Sequence, residues 1–110
     1  MPVVLRETEK VLMVEKREYT KNGGFLYKMI VFDKEDGWIV LEKGGYGWSM
    51  IDPKTGAGTG MDWVRVVAEG PVEPREKESM YKKLKMIETP EQFDAAYSIL
   101  YEQLKHKYKR

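Results

Sequence analysis

The chain has 110 residues, 19 Lys and Arg against 18 Asp and Glu, a formal net charge of +1 and no cysteine. One domain is expected at this length, and the missing thiols exclude disulfides, thiolate nucleophiles, iron–sulfur clusters and the usual structural zinc sites. The even balance of charge excludes a surface that is basic throughout, as dedicated nucleic-acid binders carry, and leaves room for a local patch.

The opening MPVVLRETEK has no basic segment leading into an apolar run, and no stretch approaches the ~20 apolar residues that span a bilayer. A cytoplasmic chain without a membrane segment is expected. One Asn and two Gln beside many Lys and Glu match the bias of proteins from hot environments, although seven Met residues run against it.

Taken in chain order, residues 1–69 read as mainly β and residues 70–110 as mainly α, within one domain spanning 1–110. Val3 to Leu5 is a short edge strand. From Glu9 to Tyr19 the chain alternates, with Val11 and Met13 on one face and Leu12 and Val14 on the other. Lys21-Asn22-Gly23-Gly24 supplies residues that tolerate positive φ, so Phe25 to Phe32 returns as the antiparallel partner. Asp33-Lys34-Glu35-Asp36-Gly37 is a second turn, leading into Trp38 to Glu42. The glycines from Gly44 to Gly47 are expected to break that strand, leaving Trp48 to Asp52 as a separate short one. Asp52-Pro53-Lys54-Thr55-Gly56 has Pro and Gly placed for another hairpin, and Met61 to Ala68 closes the series.

The helical half is marked by capping chemistry. Glu76 to Ile87 carries Met80, Leu84 and Ile87 on one side, with lysines around the rest. Thr89-Pro90-Glu91-Gln92 offers a capping hydroxyl, a proline at the first helical position and a Gln that completes a capping box. Beyond it Phe93, Tyr97, Leu100, Leu104 and Tyr108 form one stripe, flanked by Ala96 and Tyr101, for a helix lying across the sheet. The expected fold is α+β: an antiparallel meander of five or six strands, or an incomplete small barrel, followed by two C-terminal helices.

Catalytic chemistry finds little support. The one histidine, His106, sits among cations near the C-terminus and reads as a solvated surface residue. Ser49, Ser79 and Ser98 have no evident base. Asp33, Glu35 and Asp36 cluster in a turn that lacks the distant bidentate Glu of a calcium loop. Asp52 and Asp62 flank the glycine-rich segment but read as turn and surface residues, so no metal and no cofactor is expected. Neither GxxxxGK[ST] nor a complete GxGxxG is present, and β-type sequence follows the glycines where a phosphate loop needs a helix.

Binding is the better reading. The segment from Gly44 to Trp63 holds six of the ten glycines and two of the three tryptophans. Glycine-rich bends beside large aromatic and Met side chains supply contact area of the kind that dominates interface energetics. A non-enzymatic module engaging a protein partner is therefore expected, with Tyr46, Trp48, Met50, Met61 and Trp63 as the contact residues and Tyr46 the one most firmly placed outside. The competing structural role, filling the core of a small sheet, applies above all to Trp38 and Trp63. A strand edge offers a route to a homo-oligomer. The alternative is nucleic acid, held by Tyr19, Tyr27, Tyr46, Trp48 and Trp63 interleaved with Lys21, Lys28, Lys43 and Arg65 on the sheet and by Lys82, Lys83, Lys85, Lys105, Lys107 and Arg110 on the helices, with Glu15, Glu18, Glu42, Asp62, Glu76 and Glu78 diluting the field.

Overall fold

The computed structural model describes residues 3–19, 24–51 and 58–107, with the backbone alone at 47–51, 58–62 and 106–107. Five strands, β1 (Val3–Glu7), β2 (Val11–Tyr19), β3 (Phe25–Asp33), β4 (Trp38–Ile51) and β5 (Gly58–Pro71), form one antiparallel sheet in sequential order. A 3₁₀ turn (Pro74–Glu76), α1 (Lys77–Lys85) and α2 (Pro90–Lys107) follow. The fold is the expected α+β meander, and the sheet is open, with β1 and β5 as its edges. The expected turns at Lys21 to Gly23 and Asp52 to Gly56, and Tyr108 at the end of the helical stripe, lie outside the described residues.

Alternation along the strands selects the face that α1 and α2 cover. Leu12 and Val14 of β2, Ile30 and Phe32 of β3 and Ile39 and Leu41 of β4 lie on one face by register, and all are at most 1% exposed. Leu84, Ile87, Phe93, Tyr97, Leu100 and Leu104 close over them from the helices. Removing this much apolar surface from water is the main stabilising term.

Capping fixes where α2 begins. Thr89 Oγ1 accepts from the Gln92 amide at 3.1 Å, while Gln92 Oε1 accepts from the amides of Thr89 and Glu88 at 3.1 and 2.8 Å. This reciprocal pairing satisfies amides that the first helical turn leaves without partners. The turn after β3 is equally local. Asp33 Oδ1 accepts from the amides of Glu35 and Asp36, and Gly37 takes the left-handed conformation at φ +68°.

Two expectations need correction. The strand does not break at Gly44 to Gly47: β4 runs unbroken from Trp38 to Ile51, and β5 is longer than Met61 to Ala68 at both ends. The physical reason is that Gly44 and Gly45 are buried strand residues whose missing side chains make room for rings from neighbouring strands. A methyl group built on Gly44 would sit 2.5 Å from the Tyr27 ring, and one on Gly45 would sit 2.8 Å from Trp63 Nε1. Tyr27 is the register partner of Gly44 and Trp63 that of Gly45, so one ring folds over each glycine, on opposite faces of the sheet. Glycine here is a cross-strand socket, an arrangement that lets an aromatic neighbour recover the packing a glycine loses.

β4 pairs with β3 only as far as Tyr46 but with β5 along its whole length. The residues beyond Tyr46, and those of β5 before Asp62, therefore form a two-stranded arm that extends past the rest of the sheet. Register shifts at Leu41/Glu42 and Trp48/Met50 mark irregularities in this pairing, and such bulges strengthen the local twist.

Candidate functional site

The strand register defines two surfaces, one on each face of the sheet. On the face without helices, the side chains that alternation would make polar are largely apolar. Met13, Val31 and Val40 form one cross-strand row between Arg6 and Glu69; Val4, Glu15, Met29, Glu42 and Val66 form the next. Val4, Val64 and Val66 are exposed. Toward the arm, Tyr19, Phe25 and Tyr46 share a row and pack edge to face or tilted, with centroids 6.2 and 6.0 Å apart, and Tyr27 lies 6.4 Å from Phe25. Arg17 covers the Phe25 ring at 4.1 Å.

One acid is buried on this face and is fully compensated. Glu15 is 3% exposed; its Oε1 accepts from Arg6 Nη2 at 2.6 Å and its Oε2 from Arg17 Nε at 2.9 Å. A lone buried carboxylate would be costly, whereas one held between two guanidinium groups tolerates further loss of water.

On the helix-covered face, the strands outrun α2 and a cleft of about 250 Å³ opens beyond it. Lys16, Lys28 and Lys43 line it together with Glu18, and Arg65 continues their cross-strand row on β5 just outside the cleft. Lys16 is neutralised by Asp94 of α2, with Glu18 3.9 Å away. The Lys28 ammonium lies 5.4 Å from the centre of the Tyr97 ring. Among the described residues none of Lys28, Lys43 and Arg65 has a carboxylate partner. Trp63 and Leu26, 40% and 47% exposed, sit in the next row across Gly45. Tyr97 itself is buried against the sheet, where its hydroxyl donates to the Glu42 carbonyl at 3.3 Å. Burial, with Tyr101 and Glu42 nearby, pushes its hydroxyl up to about 12, so it stays protonated. A larger cleft of about 530 Å³ between α1 and α2 is lined by core-edge residues such as Ile39, Met80, Leu100 and Leu104.

The structure separates the residues expected to act together. Tyr46 is exposed, as expected, but on a regular strand in place of the irregular loop anticipated for it. It lies on the helix-free face, and Trp63 lies on the other, partly exposed where a core role was the competing expectation. Trp38 is half-buried and its indole nitrogen donates to Glu69 at 3.2 Å. The backbone at Trp48, Met50 and Met61 belongs to the arm, while their side chains lie outside the described residues.

The basic residues divide in the same way. Lys82 pairs with Glu78, Lys85 with Glu7 and Lys105 with Glu102, so most of the helical charge is compensated locally; Lys83 is exposed on α1. Lys43 and Arg65 belong to the row without acids. The side chain of Lys107, and all of Lys21 and Arg110, lie outside the described residues. Sequence reading missed Leu26 and Lys16 in the cleft and Phe25, Met13 and Met29 on the open face. The apolar residues at both parities of β2 and β3 were the available signal for the second surface.

Asp33 spends its carboxylate on backbone amides, and Glu35 and Asp36 are exposed, so that trio is a turn. Among the described residues, no three His, Asp or Glu side chains gather as a metal ion requires, and no helix is long and apolar enough to cross a membrane. The side chains of Asp62 and His106, and all of Asp52, lie outside the described residues. Compared with known proteins, the chain matches no family model, no curated protein and no solved structure; function is therefore read from its own residues.

Proposed function

We propose that this protein is a non-enzymatic binding module that works through the helix-free face of its sheet, and that the partner fitting this face is a second copy of the chain. The observation that carries the reading is the apolar character of Val4, Met13, Met29, Val31, Val40, Val64 and Val66 where an open antiparallel sheet ordinarily presents polar residues to water. A largely apolar face of this kind, interrupted by Glu15, Arg17 and Glu42, marks an interaction surface. Five strands at about 4.8 Å spacing and about nine residues per strand give a face on the order of 700 Å², near the ~800 Å² per partner of a stable interface.

Register supports self-association. Two such faces related by a twofold axis along β3 place β1 of each copy over β5 of the other, in the aligned packing of sheet on sheet. Arg6 then lies over Glu69, and Val4 over Val66, because each pair occupies the two ends of one cross-strand row. The outer strands thus match in charge and in apolar character, while in the same row Glu15, already held by Arg6 and Arg17, comes over Glu42. The Tyr19, Phe25, Tyr27 and Tyr46 cluster extends the contact toward the arm. Face-to-face pairing replaces the strand edge as the route to a homo-oligomer.

Sedimentation of the purified chain at micromolar concentration tests this reading. The expected species is a dimer; Val4→Lys shifts it to monomer, and Val4→Lys with Val66→Glu restores the dimer, since each new lysine then faces a new carboxylate. Both positions are exposed in the single chain, so folding is expected to survive. A monomeric wild type, or a dimer indifferent to Val4→Lys, overturns the reading.

A further inference from the structure

The cleft on the opposite face carries a second assignment, independent of self-association. Like charges directly opposite each other across strands are destabilising, yet Lys28, Lys43 and Arg65 occupy adjacent positions of one row with no acid among the described residues to offset them. Of the acids that approach, Asp94 pairs with Lys16 at the far end of the row, and Glu18, 3.9 Å from Lys16, lines the cleft beside Leu26 without pairing with the other three cations. The remaining three cations line up beside an indole held over the buried backbone of Gly45, with Leu26 next to it. Trp63 keeps 40% of its surface open despite its size. An exposed ring anchored on a strand beside a track of cations is the arrangement that stacks a base and holds its phosphate.

We propose that this cleft binds a phosphate-bearing nucleobase, with the base stacked on Trp63 and the phosphate groups on Lys28, Lys43 and Arg65. The cleft, about 250 Å³, has room for a base. The same chemistry is offered by a free nucleotide and by a single strand, and β3, β4 and β5 continue the basic row across the sheet in the direction a strand would follow. Lys82, Lys85 and Lys105 of the helices are instead engaged by Glu78, Glu7 and Glu102.

The test is titration of the full chain with a nucleoside monophosphate and with a short labelled oligothymidylate, each at two salt concentrations. Trp fluorescence and anisotropy are the readouts. Quenching is expected with one or both probes, and the probe that binds identifies the source: monophosphate alone marks a nucleotide site, the oligomer a strand site. Replacing Lys28, Lys43 and Arg65 with Gln is expected to weaken binding by at least about tenfold and, for the oligomer, to reduce the slope of log affinity against log salt by roughly two, at about 0.7 per lost single-strand contact. Trp63→Phe removes the quenching while the fold, checked by circular dichroism, persists. Lys82→Gln with Lys105→Gln leaves affinity within about twofold. No binding of either probe at low salt overturns the proposal, as does an equal loss in the helical control or unchanged quenching in Trp63→Phe. The monomeric Val4→Lys variant is expected to bind the probes like the wild type, so failure of one assignment is separable from failure of the other.

Discussion

The part of the sheet beneath α2 and the part beyond it share the same central strands and are held by different means. Beneath the helix, order comes from three-dimensional burial: Leu12, Ile30, Phe32, Leu41 and Phe93 are essentially inaccessible, and Phe93 stacks on Tyr97 with centroids 5.7 Å apart. Beyond it, order comes from pairs. Tyr27 folds over Gly44, Trp63 folds over Gly45, and the aromatic rows leave much of their surface to solvent. The first region rests on buried apolar side chains; the second depends on two positions having no side chain at all. This contrast explains why the exposed rings lie toward the arm. A strand pair stabilised by rings on both faces presents those rings, whereas a helix-covered core hides its own.

The largest expected effect sharpens that contrast from the core side. Phe93→Ala removes a fully buried ring and its stacking on Tyr97, and should cost about 3–5 kcal/mol. Urea unfolding followed by circular dichroism measures it. A loss comparable to that of a surface substitution would mean that α2 is not the lid of the core.

Glycine replacements probe the other region. A methyl on Gly44 would meet the Trp63 carbonyl oxygen at 2.6 Å as well as the Tyr27 ring, and the carbonyl belongs to a paired strand that cannot turn aside. Gly45→Ala meets Trp63 Nε1 and Leu26 Cδ2 first, both on side chains able to shift, with the Phe25 carbonyl farther away at 3.1 Å. Gly44→Ala should therefore cost about 1–3 kcal/mol and Gly45→Ala less. Native-state hydrogen exchange should show faster exchange concentrated in β4 and β5 near residues 42–46 and 62–66, with β2 little changed. Equal costs at the two glycines would break the argument that backbone, more than ring, sets the limit.

How much of this was readable in the chain follows from the distance between cause and effect. The capping box at Thr89 and Gln92 and the Asp33 turn were legible because every atom involved lies within a few residues. Leu12 and Val14 announced the buried face of β2 by parity. The glycines misled because the rings that occupy their space come from other strands: Tyr27 precedes Gly44 and Trp63 follows Gly45 by well over a dozen residues. The basic residues of the sheet were legible as candidates, but not that three of them form one row. Lys28, Lys43 and Arg65 look like isolated charges along the chain and become neighbours only through register. The lysine run on α1 shows the reverse, a conspicuous local patch partly spent on Glu7, 78 residues from Lys85.

That last contact gives the smallest and most selective prediction at neutral pH. Glu7 ends β1 and accepts from Lys34 at 2.9 Å, from the Tyr81 hydroxyl at 2.7 Å and from Lys85 at 2.9 Å, tying the β3–β4 turn and α1 to the sheet edge. Hydrogen bonds from Lys34, then Tyr81, then Lys85 lower its carboxyl to about 2 from an ordinary 4.5, and the same contact raises Lys85. Because the folded state binds this proton less readily than the unfolded chain, the contribution is present above the ordinary value and is lost as pH falls from about 4.5 toward 2. Glu7→Gln keeps the shape of the side chain and removes the titration. In thermal unfolding across that window the wild type should lose stability more steeply with falling pH than the variant, and the two curves should converge at the acid end. Parallel curves would show that α1 is held by Leu84 and Ile87 alone and that the ionic clamp contributes nothing. Convergence would make the helix-covered region the pH-sensitive one, while Gly44 and Gly45, which pack against Tyr27, Trp63 and Leu26 and against no carboxylate, should respond to acid no differently from the rest of the sheet.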